Sequence, residues 1–599
     1  ITVEMTLWAL IAVVALALRL IHLDAAPLNA SEAREAMLAW RVGQSFQTAN
    51  YSPLLLAANT LLFTLCGASD TLARLWPALF GSVLALMPFL LRRRIGRVGA
   101  LAAGLYLALS PTALLASRQL DGAVVAAVGA MALLGGLVSF RDTSERRWLI
   151  LAAAGLALAL TSSPVAYGLL LPLALACLTL SLIWPNEKVT LPHLHSPFFI
   201  LPSPFFLLPS SFFILAFSTG LGWNPAGLGA AGDLLPAWIA RFGPVSTPVV
   251  SPFTLLAVYE PLALLFGLGG LVWAIRQPTN QPTNKQTNKQ TNQFGALLGL
   301  WAALATLLLI LMPGRAPLDL LWVLLPLTLL TGITVQALVQ ARGSWFNEGH
   351  VLSAAEGLYV LLVLILWAHC YLVLVRYAET GNVADAGLVL LTVVLQMLLA
   401  LVFALAVSLN TALRGVVVGT GIALLAVTLS AGWNLAHARP SDPRELLVRR
   451  PTAVEVRDLV QTLRDLSWRE TGMPTTLPFT LEAAPDSVLA WYLRDFSAAR
   501  RVERLSDFPP RIGGDRGGAL VTWHRGDEPD HPAPTLPDGI EYVGQGFALR
   551  RSWDAREITC VWEWPPRCQA AVGHLLLRRT PSAPVTDEWA AFWLPAMEE

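Results

Sequence analysis

The sequence predicts a polytopic α-helical membrane protein of about thirteen spans carrying a C-terminal extracytoplasmic α/β domain. Three observations predict it. The 599 residues are 55% hydrophobic and only 14% charged, with a mean hydropathy of +0.58, far more apolar than a soluble globular chain. Uncharged runs long enough to cross a bilayer recur as far as Ala436. Beyond that point the chain turns rich in Arg, Asp, Glu and Pro and contains no spanning run.

Spans are expected near residues 5–23, 72–91, 98–115, 122–140, 148–163, 165–184, 197–218, 253–275, 294–312, 317–338, 351–375, 388–409 and 415–435. The first, Met5 to Leu23, lacks a small-residue cleavage pattern and reads as a retained signal anchor, at a start that reads as truncated. Arg92, Arg93, Arg94 and Arg97, then Arg141, Arg146 and Arg147, then Arg276, Lys285 and Lys289 mark cytoplasmic loops. With RRRIGR inside, Pro53 to Leu65 cannot cross; at about 13 apolar residues it reads as an interfacial or re-entrant helix. Thirteen crossings place the C-terminus outside. The break at Ser162 to Pro164 and the prolines of SPFFILPSPFFLLPSSFFIL bend the spans that contain them.

Two domains follow: a transmembrane domain over 1–438 with an outer loop at 24–71, and a soluble domain over 439–599. In the latter, LPFTLEA, GGALVTWH and EYVGQGFALRR read as strands, with Leu477 to Ala483 the first of them. Val454, Leu459, Leu463 and Leu466 read as one helix face, and Asp486 to Phe496 as a second helix. Cys66, Cys177 and Cys370 fall in or beside apolar runs and read as packing thiols, whereas Cys560 and Cys568, bracketing VWEWPPR, suit a local disulfide in an oxidising compartment. The tetrad repeat from Gln277 to Gln293 lacks core-forming residues and reads as a disordered linker.

Net charge of +1 with no basic face gives no nucleic-acid signature. His193 and His195 have no third ligand nearby in sequence, so no metal site is assigned. Asn29-Ala30-Ser31 and Asn50-Tyr51-Ser52 match glycosylation sequons, a pattern common by chance. There is no phosphate loop, nucleotide fingerprint or serine-nucleophile elbow. The densest chemistry at the membrane boundary is LDAAPLNASEAREAMLAW, which puts Glu32, Arg34 and Glu35 on a short amphipathic segment.

GASDTLARLWPALFGSVLALMPFLLRRRIGRVGALAAGLYLALSPTALLASR resembles the corresponding block of the GT-C superfamily of integral-membrane glycosyltransferases, which includes protein O-mannosyltransferases and lipid A aminoarabinose transferases. Within it the chain is most similar to the flippase-associated, archaeal-type branch: FSTGLGWNPAGLGAAGDLLPAWIARFG and AVYEPLALLFGLGGLVWAI resemble its mid-chain loop and next span, and AWYLRDF its C-terminal signature. The likeness runs over nearly the whole chain and is strongest over residues 15–118 and 216–275. It implies transfer of a sugar from a polyprenyl-phosphate carrier to a protein, lipid or glycan acceptor at the outer face of the plasma (inner) membrane. Such a reaction needs an acidic side chain to take the acceptor's proton, and a cation, from Arg, Lys or a divalent metal, to offset charge on the departing phosphate.

Residue by residue, the resemblance transfers unevenly. Where the family carries Asp-Glu in its first outer loop this chain has Ser31-Glu32, so Glu32 is the expected base, against a plain solvated helix facing headgroups. In the second outer loop SRQLDGA offers Arg118 and Asp121, the latter about two positions early; Asp121 is expected as the second catalytic carboxylate or as a cap for the helix starting at Gly122. Around Ser162 and Ser163 the family's Lys-containing turn is lacking, and at Gly314-Arg315 only the cation of its Glu-Lys pair persists. Arg34, Arg118, Arg315 and Glu260 are expected at the substrate, with snorkelling the alternative for Arg315 and a structural hydrogen bond for Glu260. No cofactor is assigned beyond the optional divalent metal. The readings that remain are a membrane glycosyltransferase, a catalytically degraded homologue acting as a scaffold in surface-glycan assembly, and a lipid-linked glycan transporter, whose midplane ionisable groups these spans largely lack.

Overall fold

The computed structural model describes residues 2–41, 51–183, 203–244, 251–276, 285–340, 354–448, 450–505, 518–526, 541–555, 566–577, 580 and 582–596. The Thr2 hydroxyl caps α1 (Val3–Leu20), and Asn29 and Glu32 form a capping box on α2 (Ala30–Trp40). Ser52 and Pro53 open α3 (Pro53–Cys66), the 14-residue segment expected not to cross. Next come α4 (Leu75–Ile95), α5 (Arg97–Leu109), α6 (Pro111–Ser117), α7 (Ala123–Thr143) and α8 (Arg146–Leu160). They are followed by α9 (Val165–Ile183), α10 (Pro204–Thr219), α11 (Gly227–Ala240), α12 (Pro252–Tyr259) and α13 (Pro261–Arg276). The last membrane helices are α14 (Lys285–Leu311), α15 (Leu321–Gln340), α16 (Ala354–Thr380), α17 (Val383–Ala406) and α18 (Leu409–Trp433).

Among the described residues nine helices are long and apolar enough to cross a membrane, or eleven if α5 with α6 and α12 with α13 each count as one bent span. The expected thirteen is not reached, because α8 has 15 residues and α10 has 16, below the roughly 17–25 that a crossing uses. The tetrad repeat also departs from expectation. From Lys285 it is the first turns of α14, where Lys and Gln favour helix, while residues 277–284 lie outside the described residues.

Burial sorts the helices into layers. The span beginning at Ala123 is 83% buried and that beginning at Pro317 is 89% buried, whereas α17 is 6% buried and packs on α16 and α18 along one side through Leu399, Ala400 and Phe403. Close packing in the centre uses small residues: a Cβ on Gly129 of α7 would sit 2.5 Å from the Gly155 carbonyl of α8.

Both bent spans break at a proline, whose ring disfavours helix at the residue before it. The α5–α6 bend is 59° and the α12–α13 bend is 101°. Glu260, fully buried at the second bend, ties the two together. Its carboxylate accepts from the Ser110 hydroxyl at 2.6 Å, the Thr112 N–H at 2.9 Å and the Tyr106 hydroxyl, so it also satisfies a free N–H at the start of α6. Two buried arginines serve helix C-termini. Arg19 donates to the carbonyls of Leu107 and Ala108 at the end of α5, and Arg118 donates to those of Leu18, Arg19 and Ile21 at the end of α1.

The C-terminal portion folds on a five-stranded sheet of order β2-β1-β3-β5-β4. β1 (Phe479–Glu482) runs parallel to β2 (Arg500–Val502) and β3 (Ala519–Arg525), while β5 (Val585–Pro595) is antiparallel to β3 and to β4 (Tyr542–Ser552). Helix α19 (Glu455–Thr471) buries Leu459 and Leu463, but Val454 precedes it and is 46% exposed, so it is not part of that face. The second helix is shorter than expected: α20 (Val488–Tyr492) is five residues. A last helix, α21 (Pro566–Leu577), carries Cys568, which is disulfide-bonded; Cys560 lies outside the described residues and Cys66, Cys177 and Cys370 are free.

This portion docks on the 24–71 loop through AWYLRDF. The Asp70 carboxylate accepts from Trp491 Nε1 at 2.8 Å, the Tyr492 hydroxyl at 2.7 Å and Arg457 Nη2 at 3.3 Å. Tyr492 Oη in turn accepts the Leu28 N–H at 2.8 Å, and Arg494 donates to the Ala68 carbonyl at 2.7 Å. Burial, and then the Asp70 charge, holds the Tyr492 phenol above its ordinary pKa, keeping it a donor. Replacing Asp70 by Ala strands three donors, so we expect Asp70→Ala to cost about 3 kcal/mol and to expose the 439–454 connection to protease, with Asp70→Asn milder. Thermal melts and limited proteolysis in detergent check this; an unchanged melt would show that the clasp contributes nothing.

Candidate active site

Helix α2 presents its ionisable residues to the ends of several spans, and Glu32 is the most heavily used. Its Oε1 accepts from Arg74 Nε at 2.8 Å and from the Leu120 N–H at 2.7 Å, and its Oε2 from Arg74 Nη2 at 2.8 Å and the Asn29 N–H at 2.9 Å. Glu32 is 2% exposed. Arg74 spends its remaining donors on the carbonyls of Leu23, Ala26 and Pro27. Every lone pair needed to fix Glu32 is therefore taken, and the residue expected as base is a buried bidentate partner that fastens α2 to the chain entering α4.

One consequence of the Leu120 bond is that Asp121 lies beside α2. Asp121 accepts the Ala123 N–H at 2.7 Å, capping α7 as an Asx turn, and takes a hydrogen bond from the Ser163 side chain. Its loop presses on the α8–α9 turn so closely that a Cβ on Gly122 would fall 1.8 Å from the Ser162 carbonyl oxygen, which only glycine tolerates. Burial raises the Asp121 pKa, the Glu32 charge adds to this, and Ala123, Arg241 and Ser163 oppose it.

The carboxylate that faces Asp121 with fewer commitments is Glu35, one turn after Glu32 and half-buried. Burial raises its pKa to about 8, with the charges of Asp121 and Glu32 adding to the shift and Arg34 and a hydrogen bond from the Ser52 backbone opposing it. At neutral pH Glu35 is thus mostly protonated beside Asp121.

Cations reach this pair from two directions. Arg34 stands next to Glu35 on α2, and Arg241, at the end of α11, acts on Asp121. Arg241 is aimed by Asp319, whose Oδ1 it meets at 3.0 Å and Oδ2 at 3.2 Å; the Gly314 N–H binds the Arg241 carbonyl at 2.8 Å, and Ala316 N–H binds Asp319 at 2.6 Å. Arg315 lies on this same 312–319 turn, with a long bond of 3.4 Å to the Met312 carbonyl. Among the described residues no three His, Cys, Asp or Glu side chains cluster in a way that could hold a metal ion.

The structure thus brings Glu32, Arg34 and Asp121 together, puts Arg315 on the turn that aims Arg241, and commits Arg118 and Glu260 to the helix ends described above. Ser31, exposed, donates to Asn29 within the capping box, so the Asn29 amide is engaged as a cap. His193, His195 and Asn50 lie outside the described residues. Sequence reading passed over Arg74, Arg241 and Asp319, and treated Glu35 only as a headgroup-facing residue. The available signal was modest: Arg241 and Asp319 are charges at the edges of long apolar runs, where a charge needs a partner.

No protein-family model and no curated protein matches the sequence. Solved structures do. The chain is similar to ArnT from Cupriavidus metallidurans bound to undecaprenyl phosphate, at 16% identity and a TM-score of 0.51, over 81% of this chain and 84% of that one. It is also similar to the apo form of the Archaeoglobus fulgidus oligosaccharyltransferase, at 12% identity and a TM-score of 0.42, over 83% of this chain and 64% of that one. With its broken spans, its helix-bearing 24–71 loop and its docked C-terminal sheet, the chain shares the polytopic fold of the ArnT structure over most of its length.

Proposed function

We propose that this protein is a membrane glycosyltransferase that takes a sugar from a polyprenyl-phosphate donor, with Asp121 and Glu35 as its acid–base pair and the C-terminal domain on the outer face. The observation that carries the reading is the electrostatic meeting of those two carboxyl groups, each with its pKa raised by burial, beside Arg34 and Arg241 in a chain of this fold. In the reaction the acceptor hydroxyl oxygen attacks the anomeric carbon while Asp121 takes its proton. The bond from that carbon to the phosphate oxygen breaks, and its electron pair leaves with the lipid phosphate. Arg241 and Arg34 stabilise the charge that develops there, and the Glu35 proton is placed to reduce it further. Glu32 positions the pair through Leu120 rather than reacting. The ArnT structure, bound to undecaprenyl phosphate, supports a lipid-phosphate donor; sugar and acceptor follow from neither geometry nor fold.

A scaffold reading is favoured by one observation: Ser31 stands where the family carries Asp, and the adjacent Glu32 is consumed by Arg74. Transfer of labelled sugar from a polyprenyl-phosphate donor by purified protein separates the two. We expect turnover by the wild type, with Asp121→Asn and Glu35→Gln each slowing it about 100-fold or more at unchanged melting temperature. Wild-type rates in both variants would remove the pair from the mechanism, and absence of transfer across a panel of polyprenyl-phosphate sugars would favour the scaffold.

The pH dependence has a fixed sign. Because the Glu35 pKa is raised to about 8, its proton is present below that pH and lost above it, so the rate should fall on the alkaline side near pH 8 and Glu35→Gln should flatten that limb. Arg74→Met, by contrast, leaves the Glu32 charge buried and alone, and is expected to cost about 3–5 kcal/mol of stability in a thermal melt; a wild-type melt would show that the pair does not hold α2 in place.

A further inference from the structure

We propose that the protein holds one zwitterionic aminophospholipid at the end of the membrane region remote from the C-terminal domain, its acyl chain in an apolar slot and its head on Arg414 and Glu356. The slot is a cavity of about 350 Å³ between α5, α13, α15, α16 and α18. Its walls are apolar except at one end, where Arg414 Nη1 and Glu356 Oε1 stand 3.7 Å apart. Arg414 is on the first turns of α18, whose other end adjoins the C-terminal domain, so this mouth faces away from Asp121 and Glu35.

Depth and charge choose the occupant. From Arg414 to Leu425, both lining the cavity, α18 rises about 16 Å, close to the half-thickness of a hydrocarbon core of about 30 Å. The slot is therefore about one leaflet deep, with part-exposed Arg414 and buried Glu356 at its polar end and its apolar end near Tyr106. A neighbouring cation and anion at that mouth complement a head that carries both a phosphate and an ammonium, phosphate to Arg414 and ammonium to Glu356. A polyprenyl phosphate has only the anion. The slot also lies where α16, α17 and α18 join the rest: Gly421 of α18 lets Phe266 of α13 approach so closely that a Cβ there would meet its Cζ at 2.8 Å, and beside that tight approach the wall opens into the cavity.

Native mass spectrometry of the full chain purified in mild detergent, with lipid extraction, reads this directly and independently of any glycosyl transfer. The wild type is expected to retain one phosphatidylethanolamine per chain. Val418→Phe, which fills the slot, and Arg414→Ala should each lower retention at least fivefold, whereas Leu405→Ala on the lipid-facing side of α17 should not. Should Arg414→Ala fail to fold, Glu356→Gln keeps the test alive by shifting the retained lipid toward headgroups without an ammonium. Equal retention in Val418→Phe, a polyprenyl phosphate or a purely anionic lipid in the wild type, or a wild type free of lipid would each overturn the proposal.

Discussion

The Glu32–Arg74 pair is the constraint on which the site's geometry depends. Two charges with almost no exposure are expensive to keep out of water, and their mutual attraction offsets that cost only when the remaining lone pairs and N–H groups also find partners. Here they do: Arg74 gathers three carbonyls from the turn after α1, and Glu32 gathers N–H groups from Asn29 and Leu120. One ion pair thus joins the end of the first span, the amphipathic helix, the start of α4 and the loop bearing Asp121. The separation of Glu35 from Asp121 is set by this joint, one helical turn away on one side and one residue away on the other.

A related economy appears at three other buried charges near helix ends. Among the described residues Arg19 and Arg118 have no buried acid as a hydrogen-bond partner and instead satisfy helix C-terminal carbonyls, while Glu260 has no cation among its partners and satisfies hydroxyls and an N–H at the two bends. Charged residues in an apolar setting are often read as functional, and by composition all three qualify. Their geometry shows a more basic duty, since a broken or ended helix in a low-dielectric surrounding exposes peptide groups that must be paired.

Much of the fold was legible in the chain. Long apolar runs, the short segment at Pro53 and the compositional change after Ala436 are local signals, and the membrane magnifies them because only helices satisfy their own backbone there; the breaks at Pro111 and Pro261 fall inside runs that read as single spans. The span total was less legible, because α8 and α10 are short and their ends depend on neighbours. In the sheet, β1, β3 and β4 announced themselves by alternation, whereas β2 is three residues long and β5 reads as an aromatic-rich tail until paired. The site was the least legible part. Spacing put Glu32, Arg34 and Glu35 on one helix, but which carboxylate is spent on a buried arginine is decided by Arg74, 42 residues away, and no local pattern carries that. Arg241 and Asp319 meet across 78 residues, with the same result.

The C-terminal portion rests on the loop that carries α2, where Tyr492 of α20 meets Asp70 and Leu28, while the connection leading into it meets the α12–α13 bend, where Tyr259 donates to Glu445. Because α2 belongs to that same loop, the C-terminal portion and the Glu35-bearing helix share one support, and whatever is built onto the former is anchored within one loop of the latter.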